Sequence, residues 1–179
     1  MGPSGSGKTT LLRTLAMLDA PDQGQITINN RQTARPSTLE NPYPTITVVY
    51  QQLFLWPHLT NRQNITLAVQ NTDFQDKLDE LIEFLEMENF IDNYPNQSSV
   101  GQKQRVAIAR ALILNPEYIF FDEITSALDS KQMQSVIQIL NNLKSKNIGI
   151  FLITHHDQVA QQVADEVLHL DHINQIEVS

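Results

Sequence analysis

The first ten residues constrain the chain more than any other stretch. Gly2-Pro3-Ser4-Gly5-Ser6-Gly7-Lys8-Thr9 fits the pattern G-x-x-x-x-G-K-[ST], a turn of bare backbone N–H groups that wraps a polyphosphate. Gly2, Gly5 and Gly7 accept backbone angles and contacts that a Cβ would obstruct, and Gly7 opens a helix whose positive end faces the same anion. Lys8 adds a point charge for the outer phosphates, and the Thr9 hydroxyl is a hard oxygen donor suited to Mg²⁺. Average residue frequencies give the four fixed positions about 4 × 10⁻⁵ per starting point, so a chance glycine-rich turn is the weaker reading. The motif defines a ligand class and leaves the reaction open.

A chain of 179 residues has room for one domain with a real core and a small inserted lobe. Its formal charge of −8 argues against a nucleic-acid surface, which needs a basic face to displace counterions. The absence of cysteine excludes a disulfide framework, a thiol nucleophile and a cysteine metal site. No signal peptide is visible, and the apolar runs fall far short of the ~20 residues of a membrane helix. A soluble protein with at most a peripheral membrane role is expected.

Leu11, Leu12, Leu15 and Leu18 repeat at helical spacing and predict a helix over 8–18, stopped by Asp19-Ala20-Pro21-Asp22. A short strand is expected over 25–28, an Asn29-Asn30 turn, then a polar, proline-dotted stretch to Pro44 and a β-branched strand over 46–50. From about Thr60 to Asn115 the pattern is helical. Thr72-x-x-Gln75 resembles a capping box ahead of an apolar face formed by Phe74, Leu78, Leu81, Ile82 and Leu85. A second helix is expected from about Ser99 to Leu114, a buried strand over 118–121, a helix over 130–144 and a strand over 148–153. A further helix and a strand over 167–170 follow. This alternation predicts a parallel sheet with crossover helices.

Phe120-Phe121-Asp122-Glu123 is an apolar strand that delivers two carboxylates at its C-terminal end, where ligands of α/β sheets gather. Asp122 suits the Mg²⁺ shell and Glu123 the deprotonation of an attacking water. At the start of the Ser99 helix, Ser98-Ser99-Val100-Gly101-Gln102-Lys103-Gln104-Arg105 resembles the LSGGQ signature of the ABC-type ATPases and the helix that follows it. In that family the signature serine and glycine of one subunit close over the γ-phosphate held by the other, which implies those roles for Ser99 and Gly101, with Gln102 beside them. Ser98 and Val100 depart from the pattern, and the loop is expected to lose apolar anchoring and gain a β-branched side chain near phosphate. Gln51 stands where the family has its Q-loop glutamine, with Gln52 one register away. Ser126-Ala127-Leu128-Asp129 matches the D-loop, with Ile124 where proline is usual, and His155 in Ile153-Thr154-His155 matches the switch histidine. His156, His169 and His172 lack metal-site spacing.

The resemblance covers nearly the whole chain and extends to ATPases of bacterial uptake systems, particularly those for polar amino acids. It implies an α/β fold of the P-loop NTPase (RecA-like) type, a parallel sheet with an inserted helical subdomain. Its parts would be a first core segment over 1–59, the helical subdomain with the signature over 60–115 and a second core segment over 116–179. ATP and Mg²⁺ are the implied cofactors. Gly2, Pro3, Ser4, Gly5, Ser6, Gly7, Lys8, Thr9, Thr10, Ser99, Gly101, Gln102 and Asp129 would contact nucleotide. Thr9, Gln51 and Asp122 would hold the metal, and Glu123, His155 and Gln51 would serve catalysis. A homodimer joined through signature and D-loop is implied, cytoplasmic and peripheral at the inner face of the membrane. Transmembrane permease subunits would dock at Leu53, Phe54, Leu55 and Trp56, which could equally just pack the lobe. The family's N-terminal antiparallel sheet and the core strand ahead of the glycine loop are expected to be missing. A non-catalytic remnant, a non-transport ABC ATPase and a P-loop small-molecule kinase are the competing readings; the kinase would need an acceptor pocket and lid in place of the signature and D-loop.

Overall fold

The computed structural model describes residues 1–3, 5–29, 31–35, 38–39, 41–69, 73–170 and 176–178, with side chains described outside 31–39 and 176–178. Helix α1 (Lys8–Leu15) grows directly from the glycine loop, with Gly7 as its N-cap at φ 89°. It ends one turn earlier than its leucine spacing predicts. Met17 adopts φ 55°, Leu18 N–H donates to Arg13 O at 2.8 Å and Met17 N–H to Thr14 O at 3.0 Å. These are the two bonds of a Schellman stop. Leu18 is left 45% exposed, while Leu12, Ala16 and Met17 pack with Ile46, Phe120 and Ile153 against one face of the main sheet.

Strand β1 (Ile26–Ile28) is followed by β2 (Arg31–Arg35) and β3 (Thr38–Leu39), an antiparallel sheet in the order β1-β2-β3. The stretch after Asn29 was expected to be irregular, because Arg-Gln-Thr-Ala-Arg shows no apolar alternation. Its pairing is made by backbone groups, Ile28 facing Arg31, with Asn29 at φ 51° directly after β1.

The main sheet is parallel, in the order β4 (Ile46–Val49), β5 (Tyr118–Asp122), β6 (Gly149–Ile153). Between β4 and β5 run α2 (Asn61–Thr66), α3 (Gln75–Phe84), a 3₁₀ turn (Pro95–Gln97) and α4 (Val100–Leu112). The expected capping residue Thr72 lies outside the described residues, and α3 starts after Phe74 with no side-chain cap. Between β5 and β6 runs α5 (Ser130–Ser145). Val106, Ile108 and Ala109 of α4 are fully buried and share one core with Ile119 and Phe121 of β5, Leu78 and Leu81 of α3, and Leu140 and Leu143 of α5. Each large apolar side chain so buried stabilises the fold by about 1.5–3 kcal/mol. The helical lobe is therefore continuous with the sheet's core, and α4 belongs to both.

After α6 (Asp157–Val163) the chain enters β7 (Leu168–Leu170), which does not join the parallel sheet. It pairs antiparallel with β8 (Ile176–Val178), and on its other side Leu170 N–H donates to Met1 O at 2.7 Å while the Met1 amine donates to Leu168 O. Alternation of helices and strands cannot say which strands become neighbours. A groove of about 620 Å³ separates β7 from β6, walled by residues of Gly149–Thr154 and Val167–Leu168 with Met1 and Leu11. Among the described residues β6 pairs with β5, and its other side lines this groove.

Candidate active site

The glycine loop holds a strained path. Gly5 and Gly7 stand at φ 81° and 89°, and a Cβ on Gly2 would sit 2.3 Å from Leu170 O, so only glycine fits against β7. Lys8 does not point outward. Its ammonium donates to Gly2 O and Pro3 O, each at 2.8 Å, tying the loop to itself. Ser6 Oγ is buried and has no partner among the described residues; Ser4 lies outside them. Thr9 and Thr10 follow on the first turn of α1, both exposed.

The end of β5 meets this loop. Thr9 Oγ1 lies 3.2 Å and 3.4 Å from the two carboxylate oxygens of Asp122 and donates its hydroxyl hydrogen there. Asp122 is 7% exposed. Burial pushes its carboxyl above the ordinary range, the Thr9 bond pulls it back, the neighbouring Glu123 charge adds to the rise and Lys8 opposes it. Glu123 turns out of the strand at φ 49°, held by its own N–H donating to Ile153 O at 3.0 Å. That kink aims its carboxylate across the end of β6, where Glu123 Oε2 is 3.9 Å from Nδ1 of half-exposed His155. His155 also stacks on His156 at 4.2 Å between ring centres. Buried Thr154 anchors this corner: its hydroxyl accepts His156 N–H at 3.1 Å and lies 3.5 Å from that of Thr125.

Gln51 Nε2 donates to Ser126 Oγ at 3.0 Å, so it is Gln51 that reaches the 126–129 loop. In this state its amide is committed to that loop and not to the Thr9–Asp122 pair.

A second group forms around the start of α4. Ser99 is its N-cap: Ser99 Oγ accepts Gln102 N–H at 3.2 Å and Gln102 Oε1 accepts Ser99 N–H at 2.8 Å. Asp129 does the same for α5 with Gln132, whose N–H it accepts at 2.8 Å. Gln132 lies beside Gly101, where an added Cβ would be 3.5 Å from its Cγ. Gln102 and Asp129, expected at nucleotide, take part here in the capping boxes of α4 and α5. Ser98 does not leave the loop unanchored. It is 8% exposed, and its hydroxyl accepts from Asn61 Nδ2 at 2.9 Å, a polar anchor where an apolar one was expected to be lost. Among the described residues no hydrogen bond or ion pair joins this group to the loop of Lys8 and Thr9.

Sequence reasoning missed Asn61 and Gln104, both buried. Gln104 donates from Nε2 to Ile124 O, linking the interior of α4 to the turn after Glu123. A lone amide on an otherwise apolar helix face was the available signal. His169 is exposed on β7, away from the His155–His156 pair, and His172 lies outside the described residues.

A parallel sheet with a glycine loop, an α1-borne lysine and paired carboxylates at its strand ends defines an α/β nucleotide-binding cassette. The family model described as "ABC transporter" matches residues 1–126. The arginine transport ATP-binding protein ArtP of Haemophilus influenzae is 37% identical over 183 residues, covering 96% of this chain and 75% of that protein. The arginine transport ATP-binding protein ArtM of Bacillus subtilis is 40% identical, covering 96% and 74%. Among solved structures, the dimeric bacterial ABC transporter cassette MJ0796 superposes with a TM-score of 0.84 at 34% identity, covering 99% of this chain and 82% of that one. The same cassette with ADP and Pi bound, after hydrolysis, gives 0.81. The chain belongs to the ABC transporter family of ATP-binding subunits, which are ATPases. Among the described residues no helix is long and apolar enough to cross a membrane.

Proposed function

We propose that the chain hydrolyses ATP as the energising subunit of an importer of polar amino acids, the reading favoured by relatives that serve arginine transport. The observation that carries it is the convergence of Lys8, Thr9, Asp122, Glu123 and His155 at the C-terminal ends of β5 and β6. Lys8 exchanges its bonds to Gly2 O and Pro3 O for phosphate oxygens, and the unpartnered Ser6 hydroxyl and the loop N–H groups complete the cradle. Ser4 and Thr10 belong to the same cradle in this reading.

The Thr9 hydroxyl and Asp122 carboxylate are adjacent hard oxygen donors and fit Mg²⁺, which when bound neutralises charge on the outer phosphates. Gln51 joins them once it leaves Ser126. Glu123 accepts a proton from the attacking water, and His155 steadies the γ-phosphate side of the site. Two copies close head to tail, Ser99 and Gly101 of one sealing the nucleotide of the other, with Gln102 and Asp129 shaping those loops. Residues 60–115 form the lobe between core segments 1–59 and 116–179. Phe54 and Trp56, exposed at 57% and 51%, face the permease at the inner membrane surface.

A second reading is a nucleotide-binding remnant that does not turn over, favoured by the groove along β6. Light-scattering mass of the Glu123→Gln protein separates the two. An ATP- and Mg²⁺-dependent doubling of mass supports the ATPase; a monomer that ignores ATP supports the remnant.

A further inference from the structure

The segment leaving β4, residues 50–56, has no regular secondary structure, so its backbone carbonyls need partners from elsewhere. Leu53 and Leu55 pack on the core while Phe54 and Trp56 face outward, and Phe54 takes φ 48°. Two side chains grip this path. Buried Asn64 accepts Trp56 N–H at 2.7 Å and donates to Trp56 O at 3.1 Å. From the last turn of α4, Arg110 donates through Nη2 to Leu53 O at 2.7 Å and through Nη1 to Phe54 O at 2.9 Å.

Arg110 is unusual among the arginines here. Arg13, Arg62 and Arg105 each pair with a carboxylate, whereas Arg110 has no acidic partner among the described residues and spends its charge on two carbonyls. Burial depresses its pKa with no anion to offset it. A planar fork can take two neighbouring carbonyls at once; an ammonium would address a single point. Arg110 stands ten residues along one unbroken helix from Val100, a rod of about 15 Å at 1.5 Å per residue.

We infer that Arg110 is a positioning residue that rivets the Leu53–Phe54 backbone to α4, so that displacement of the exposed Phe54–Trp56 surface moves Gln51 and the Ser99 end of α4 as one body. The roles of Gln51 and Ser99 rest on the function proposed above; the rivet does not.

Trp56 is the single tryptophan of the chain and reports on this segment directly. In the purified protein, Arg110→Gln is expected to raise acrylamide quenching of Trp56 about twofold as the path loosens, and Arg110→Lys to fall between it and wild type. In steady-state turnover Arg110→Gln is expected to lower kcat about tenfold with KM for ATP within about twofold, a misplacement effect rather than a binding one. The inference is overturned by wild-type quenching in both variants, or by a kcat loss in Arg110→Gln that is matched by an equal rise in KM. It is equally overturned if both variants lose their cooperative melting transition, which would make Arg110 a plain packing residue. A wild-type protein without turnover would defeat the proposed function while the quenching comparison still decides the rivet.

Discussion

At the glycine loop, Lys8 is fastened to the carbonyls of Gly2 and Pro3 and Thr9 to Asp122. At the start of α4, Ser99 and Gln102 cap each other, and Val100 next to them is 48% exposed. The first region must exchange internal bonds for phosphate contacts, so part of its intrinsic affinity offsets what it gives up. The second has its helix N-terminus fully formed and needs only something to close upon. In the function proposed here, both regions face one phosphate from two copies of the chain. The difference then sets an order: nucleotide first opens one loop, and only afterwards does the preformed end of the other copy dock.

The largest effect that could break this comparison is at Lys8. Lys8→Met removes the phosphate contact and also frees two loop carbonyls, and a drop in ATP affinity of about 10²–10³-fold is expected, as for loss of one charged contact to a phosphoryl group. Equilibrium binding by isothermal titration measures it. An affinity within about threefold of wild type would mean that the self-tie of Lys8 costs as much as the phosphate contact returns.

An effect on folding is expected at the preformed end. Ser99→Ala deletes the acceptor for Gln102 N–H and should lower stability by about 1 kcal/mol in urea unfolding. ATP affinity of the single chain should stay unchanged, because Ser99 serves the neighbour's nucleotide. A Ser99→Ala chain that binds ATP distinctly more weakly as a monomer would erase the division between the two ends.

The motif positions of both ends were legible in the sequence because glycine, lysine and capping chemistry is local. β4, β5 and α5 were legible because Ile46–Val49, Phe120–Phe121 and Val136–Leu140 are apolar runs or stripes that only burial explains. The bonds that give the ends their opposite characters were not. Lys8 turning back on its own loop, Asn61 anchoring Ser98 from 37 residues away and Arg110 holding Leu53 from 57 residues away depend on tertiary approach, to which periodicity is blind. β2 was missed for a related reason. Its polar residues carry no alternation, and only its backbone pairing with β1 and β3 defines it. The expected place of β7 in the parallel sheet failed because strand neighbours are set by tertiary pairing, here with β8 and with Met1, and not by chain order.

Asp122 offers a smaller, pH-resolved test of the loop end. Its folded pKa is raised, chiefly by burial, above the ordinary 3.8. Between these two values the unfolded chain gives up the proton while the folded chain keeps it, so stability falls as pH rises through that window and then levels off. Asp122→Asn has no such loss. The variant's melting temperature should match wild type below pH 3.8, exceed it increasingly as pH rises toward the folded pKa, and keep a constant lead beyond it. A gap of the opposite sign would show that Thr9 and Lys8 stabilise the carboxylate by more than burial costs it, and that this end is held more firmly than the geometry suggests.

The smallest effect sharpens the other end. Val100 is the first residue of α4, half-exposed, with its β-branched side chain beside the capped N-terminus. Val100→Gly exchanges a modest helix former for a poorer one and should lower the stability of the single chain by a few tenths of a kcal/mol. The same change removes two methyl groups from the surface proposed to meet phosphate. In the Glu123→Gln background, the ATP-driven dimer should then tighten by about twofold, which corresponds to about 0.4 kcal/mol. Sedimentation at a series of protein concentrations resolves a change of that size. Tightening would mean that Val100 holds the preformed end slightly away from its ligand. If the dimer weakens instead, the valine is an apolar contact across the interface, and the end of α4 meets protein before it meets phosphate.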